Sequence, residues 1–184
     1  MKKVLVANRG EIAIRVFRAC AELGIKTVGI YAAEDEYSVH RFKADEAYLV
    51  GKGKRPIEAY LDIEDIIRTA KKAGAEAIHP GYGFLSENLA FAQRCKEEGL
   101  IFIGPSTHHL DIFGDKIKAK TAAIEAGIQS IPGSDGPVNT IDDVLLFAET
   151  HGYPIMIKAA LGGGGRGMRV AHDEKEAREG YERA

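Results

Sequence analysis

The 184-residue chain has no tryptophan, only two cysteines, and no large excess of charge of either sign. Cys20 and Cys95 sit inside helical patterns without CxxC spacing, which excludes a disulfide framework or a cysteine metal site and predicts buried free thiols. A formal net charge of −2, from interspersed lysines, arginines and acids, argues against bulk nucleic-acid binding and leaves room only for a local basic site. No apolar run approaches the ~20 residues a membrane helix needs. The opening "MKKVLVANRG" has two lysines, but its apolar run is too short for a signal peptide and no small-residue cleavage site follows, so a cytoplasmic protein is expected. Repeats and low-complexity tracts are absent apart from one glycine cluster. His40, His108, His109, His151 and His172 lack metal-ligand spacing and are expected at the surface or at helix ends.

What is present is alternation. Short β-branched runs at 2–7, 26–32, 47–50, 76–81 and 100–105 are separated by amphipathic segments at 11–24, 62–74 and 86–99. In the first of these helices Ile12, Val16, Ala19, Cys20 and Leu23 are expected to share the inner face, with Arg15, Arg18 and Glu22 behind it. Asp62 and Ser86 are cap candidates for the other two. Strands separated by helices of this length pair in parallel through right-handed crossovers. The first part therefore reads as an α/β unit with a doubly wound parallel sheet, whose ligands bind beyond the carboxyl ends of the strands. Those ends carry Asn8 to Glu11, His79 to Phe84, and Gly104 to Ser106. After Pro105 the pattern changes to a helix at 115–127, a turn-rich linker at 131–137, a helix at 140–152 capped by Thr140, and two strands around the glycines.

Five glycines occupy Gly162 to Gly167, interrupted only by Arg166. The cluster lacks the GxxxxGK[ST] of a Walker A loop, and it joins two strands instead of opening a helix, so it is not a dinucleotide fingerprint either. A glycine turn between two strands is the arrangement that covers nucleotide phosphates, because backbone N–H groups approach closely where no side chain intervenes. A simple hairpin connection needs fewer glycines, each of which costs about 0.5–1 kcal/mol relative to alanine once ordered. Lys158 breaks an apolar strand just ahead of the loop and suits a phosphate contact, although alternation alone would also turn it to solvent. Lys116, near a helix start, gains nothing from the helix dipole, and either a phosphate partner or ordinary solvation accounts for it. "HPGYGFLSEN" (79–88) presents His79, Tyr82 and Phe84 at a strand end; turn chemistry explains most of it, and two aromatics there also fit a pocket wall.

Taken in order, "VANRGEIAIRVFRA", "AIHPGYGFLSEN", "IFIGPS", "FGDKIKAK", "IPGSDGP" and "YPIMIKAALGGGGRGMRV" resemble the biotin carboxylase component of biotin-dependent carboxylases over essentially the whole chain. "YAAEDEYSVHRFKADEAYLVG" and "HLDIFGDKIKAK" look most like the bacterial pyruvate-carboxylating branch. The branches acting on acetyl-CoA or propionyl-CoA share the core motifs.

The resemblance implies a biotin carboxylase N-terminal α/β domain over 1–113 and, over 114–184, the start of an ATP-grasp fold with its glycine-rich lid. It implies ATP-dependent activation of bicarbonate as carboxyphosphate, carboxylation of biotin, and then of pyruvate to oxaloacetate. Lys116, Lys158, Gly163, Gly164, Gly165, Arg166 and Gly167 match ATP contacts; Tyr82 and Gly83 match the biotin and bicarbonate pocket; Arg18 and Glu22 match a dimer contact. Biotin on a carrier domain, Mg²⁺ and homo-oligomerisation are implied as well. The family's biotin carboxylase unit is more than twice as long. The metal-binding carboxylates, the base and the biotin-holding arginine are thus expected beyond Ala184, and this N-terminal fragment is expected to be inactive alone. Another ATP-grasp ligase, of carbamoyl phosphate or purine synthesis, and a non-catalytic nucleotide-binding module are the alternatives.

Overall fold

Strand propensity and crossover length together build the first unit, Met1–Lys116, of the computed structural model. The structure describes residues 1–128, 133–134, 136, 138–158 and 167–183, with the backbone alone at 116 and 117. Strands β1 (Lys3–Val6), β2 (Lys26–Tyr31), β3 (Glu46–Leu49), β4 (Ala77–His79) and β5 (Ile101–Phe102) form one sheet in the order β3-β2-β1-β4-β5. Every pairing in it is parallel. The chain runs outward from β1 through β2 to β3, then returns to β1's other side for β4 and β5. The order therefore reverses between β1 and β4, and a crevice opens at the carboxyl ends of those two strands.

Alternation along β1 distributes its side chains between two cores. Val4 and Val6 pack with Ala13, Val16, Phe17 and Cys20 of α1 (Gly10–Glu22). Leu5 and Ala7 join the opposite cluster, with Ile66, Ile67 and Ala70 of α3 (Ile63–Lys72) and Phe91 and Cys95 of α4 (Leu89–Glu97). Both cysteines are free and buried, as expected. Between β3 and α3, the short helix α2 (Pro56–Tyr60) delivers Tyr60 into the core; α5 (Thr107–Gly114) follows β5, capped by Ser106.

Three local readings are corrected. The inner face of α1 is centred on Ala13, Val16, Phe17 and Cys20, while Ala19 and Leu23 are exposed. Phe17 is the larger side chain and turns the helix toward itself. The N-cap of α4 is Asn88, whose side chain accepts from the Phe91 N–H at 2.8 Å, and not Ser86, whose own N–H donates to Gly83. His40 is buried, with Nε2 against the Ile30 carbonyl at 3.1 Å, and not at the surface.

The second unit, Ile117–Ala184, has its own core. α6 (Lys116–Glu125) leads to α7 (Ile141–His151), where Thr140 and Asp143 form a reciprocal capping box and Gly152 ends the helix. Strands β6 (Ile155–Lys158) and β7 (Met168–Ala171) pair antiparallel, and α8 (Glu174–Glu182) closes the unit, capped by Asp173. Val144 and Ala148 of α7, Ile155 and Ala171 of the hairpin and Ala177 of α8 form its buried cluster.

Candidate functional site

The crevice between β1 and β4 is built from Asn8 and the turn after His79. Asn8 is 3% exposed. Its Nδ2 donates to the carbonyls of Pro80 (2.7 Å) and Tyr82 (2.9 Å), and its Oδ1 accepts from the Arg9 N–H (2.9 Å). The Ala7 N–H donates to the His79 carbonyl at 2.9 Å, so the sheet ladder runs directly into this cluster. Gly81 has a positive φ of 68°, and a Cβ on it would lie 2.6 Å from Asn8 Nδ2. Only glycine lets the turn press onto the asparagine. The Gly81 N–H donates to His79 Nδ1 at 2.9 Å, which fixes that nitrogen as an acceptor. Burial pushes the His79 pKa down, so the ring is held neutral.

Tyr82 projects outward from this turn and is 61% exposed. Its hydroxyl donates to Glu11 Oε1 from the first turn of α1, a contact that raises the Tyr82 pKa. Gly83 is exposed beside it. Phe84 does not join Tyr82 as a second wall. It turns inward at φ 40° and stacks on Tyr60, with ring centroids 5.3 Å apart. The two aromatics, two positions apart on the turn, face opposite ways here, and the core takes the one that stacks on Tyr60.

Beneath Phe84 lies a buried polar network that the sequence pattern did not reveal. Asp35, 4% exposed, accepts from Arg9 Nη2 (2.7 Å), the Ser38 hydroxyl (2.8 Å) and the Tyr60 hydroxyl (2.8 Å). The Tyr60 oxygen accepts from the Ala32 N–H at 3.1 Å. Burial, reinforced by the Asp35 carboxylate, holds the Tyr60 pKa well above the tyrosine range. The Asp35 carboxylate and the Tyr60 hydroxyl are thus both partnered, which lets the Arg9–Asp35 pair sit there without leaving either buried group unpaired.

In the second unit the antiparallel register decides what surrounds Lys158. Ile155 pairs with Ala171 and Ile157 with Arg169, on the face covered by α7 and α8. Met156 pairs with Val170, and Lys158 with Met168, on the other face. All four of those side chains are exposed. Lys158 therefore stands at the end of an exposed face that also carries two methionines and a valine. Met168 and Val170 were not singled out from the sequence, although alternation along "MRVA" and the antiparallel register together identify them. Gly167, at φ 75°, immediately precedes β7 and so lies at the same end of the hairpin as Lys158. Gly163, Gly164, Gly165 and Arg166 lie outside the described residues, as does the side chain of Lys116, whose backbone opens α6. Arg18 and Glu22 are exposed one turn apart on α1. Among the described residues no group of three or more His, Cys, Asp or Glu could hold a metal ion, and no helix is long and apolar enough to cross a membrane.

Comparison with known proteins extends this geometry. Residues 1–110 match the model of the biotin carboxylase N-terminal domain, and residues 115–184 that of the carbamoyl-phosphate synthase L chain ATP-binding domain. Pyruvate carboxylase of Bacillus subtilis is 65% identical over all 184 residues, and that of Staphylococcus aureus 60%. The chain spans 16% of the length of each. Among solved structures, the biotin carboxylase domain dimer of Hydrogenobacter thermophilus 2-oxoglutarate carboxylase, in complex with MgADP, ADP and bicarbonate, superposes with a TM-score of 0.89 at 49% identity. That match covers 98% of this chain and 40% of the other. Rhizobium etli pyruvate carboxylase with the allosteric activator acetyl coenzyme A gives 0.82 at 50% identity, covering 96% of this chain and 16% of that one. The family match over residues 1–110 and the identity to these relatives place the chain in the biotin carboxylase family.

Proposed function

We propose that this chain forms the biotin-side wall and the nucleotide lid of a biotin carboxylase that serves pyruvate carboxylation. The observation that carries the reading is the exposed face of the β6–β7 hairpin. Met156, Met168 and Val170 make an exposed apolar surface, and Lys158 stands at its edge, where the chain enters the glycine-rich segment. An apolar face bordered by a cation and glycine backbone fits ATP, whose base seeks burial and whose phosphates seek N–H groups and positive charge. Lys116, Gly163 to Gly165, Arg166 and Gly167 complete the proposed ATP contacts. ATP bound there would supply the phosphoryl group that activates bicarbonate. The described residues offer Mg²⁺ no carboxylate cluster, so no metal-dependent step is assigned to them.

Tyr82 and Gly83, at the switch point of the sheet, form the proposed wall for bicarbonate and for biotin delivered by its carrier domain. Biotin would supply the acceptor nitrogen, and the chain's own turn would orient it. Arg18 and Glu22, exposed on α1, are proposed to meet a second subunit. Pyruvate as final acceptor is supported by the identity of 56–65% to bacterial and mammalian pyruvate carboxylases. The cytoplasm is the compartment proposed.

In the complete carboxylase, Lys158→Ala is expected to raise the KM for ATP in bicarbonate-dependent ATP cleavage at least tenfold, the loss of one charge-assisted contact of about 1.5–3 kcal/mol. An unchanged KM would remove Lys158 from the site. The match of residues 115–184 to a carbamoyl-phosphate synthase model favours ATP binding in either reading. Stimulation of ATP cleavage by free biotin separates them, since only a biotin carboxylase responds.

A further inference from the structure

Tyr82 is held from two directions by one short segment of chain. Asn8, the second residue beyond β1, binds the Tyr82 carbonyl at 2.9 Å; Glu11, three residues later, accepts the Tyr82 hydroxyl proton. The two contacts lie at opposite ends of the same residue, one on its backbone and one at the tip of its ring. Most exposed tyrosines keep their rotamer freedom, whereas a ring fixed at its root and its tip has given that freedom up. The hydroxyl proton is also committed: a hydroxyl that donates to Glu11 offers a ligand only its oxygen lone pairs.

We propose that Glu11 and Asn8 are positioning residues of the carboxylation site, holding Tyr82 so that its ring and an acceptor oxygen face the ligand at the switch point. The proposal rests on the reading of Tyr82 as part of the biotin-side wall. Asn8 acts on the backbone: its amide spans Pro80 and Tyr82, and the Gly81 close approach at 2.6 Å leaves no space for the turn to carry a Cβ. Glu11 acts on the ring. It is exposed and lies outside both core clusters of the first unit, so its replacement tests the proposal without threatening the fold. Preorganisation of this kind lowers the ordering cost of binding, so its loss appears in affinity for the molecule that Tyr82 touches and not in affinity for the nucleotide.

The experiment is steady-state ATP cleavage by the complete carboxylase, with free biotin as the varied substrate and ATP and bicarbonate held saturating. Glu11→Ala is expected to raise the KM for biotin about three- to tenfold, the effect of one hydrogen bond, with the KM for ATP at its wild-type value. Glu11→Gln, which keeps an acceptor oxygen, is expected to recover most of the loss. Tyr82→Phe should cost at least as much as Glu11→Ala, because it removes the acceptor oxygen along with the Glu11 contact, and the double variant should be no worse than Tyr82→Phe alone. Gly81→Ala, which pushes the turn off Asn8, should raise the biotin KM further than Glu11→Ala. A biotin KM unchanged in Glu11→Ala while Tyr82→Ala raises it overturns the proposal and leaves the function standing. Additive effects of Glu11→Ala and Tyr82→Phe also overturn it. A wild-type enzyme whose ATP cleavage ignores biotin fails the functional reading instead.

Discussion

His40 shows how a single residue can carry a pH dependence that its sequence position conceals. The ring is buried, Nε2 meets the Ile30 carbonyl, and Nδ1 has no hydrogen-bond partner. Burial pushes its pKa below the ordinary histidine value; the carbonyl contact and the Asp35 carboxylate act the other way, and Arg9 adds to the depression. The unfolded chain, with its histidine titrating near ~6.5, then binds more protons than the folded chain just below that pH. The stability from a neutral His40 is complete above about pH 6.5 and is lost as pH falls toward the folded value. Urea midpoints measured from pH 7.5 to 5 should therefore drop more steeply for the wild type than for His40→Gln, which keeps a donor for the Ile30 carbonyl. Parallel slopes would show that His40 does not carry the effect. The sequence pointed His40 outward because it lies in an irregular stretch, where no periodicity reports which way a side chain faces. Tyr82 was readable for the opposite reason: glycines on both sides mark a turn, and a turn at a parallel strand's carboxyl end is where ligands gather.

Among the elements, helix ends separate what local chemistry determines from what tertiary structure decides. Thr140 caps α7 as read, and Asp143 three residues on answers it in a capping box that depends only on neighbours along the chain. The sequence pattern points to Ser86 as the cap of α4, whereas Asn88 fills that place. The turn ahead of the helix settles the choice, because the Ser86 N–H is drawn back to Gly83 and the helix starts two residues later, from Asn88. Asn88→Ala is accordingly expected to lower stability by about 0.5–2 kcal/mol, while Ser86→Ala changes it by less than half as much; equilibrium denaturation of the two variants decides between the caps. The β6–β7 hairpin follows the same division. Its strands and Lys158 were visible as apolar runs with one interruption. The apolar face around Lys158 emerges only when the register pairs Met156 with Val170 and Lys158 with Met168. Within α1, periodicity found the helix but placed its inner face too near Leu23, since Phe17 outweighs Leu23 in the space beneath β1.

For the whole molecule, the order of strands and helices was enough to predict a parallel doubly wound sheet, because chain connectivity leaves few alternatives once each crossover is right-handed. The polar cluster of Arg9, Asp35, Ser38 and Tyr60 was not predictable, since it joins three segments, at Arg9, at 35–38 and at Tyr60, that only the folded sheet brings together. That cluster and both hydrophobic cores of the first unit lie entirely within residues 1–103. A unit that contains its own core has what an independent fold requires. A chain of residues 1–116 is therefore expected to unfold in urea as one cooperative transition. Ile66→Ala, at a fully buried position in the larger cluster, is expected to cost it about 2–5 kcal/mol. The same substitution in the 184-residue chain should cost the same amount, because every clustered neighbour of Ile66 is retained in the shorter chain. A broad, non-cooperative transition for residues 1–116, or a much smaller cost of Ile66→Ala there than in the longer chain, would show that the sheet takes part of its stability from residues beyond 116.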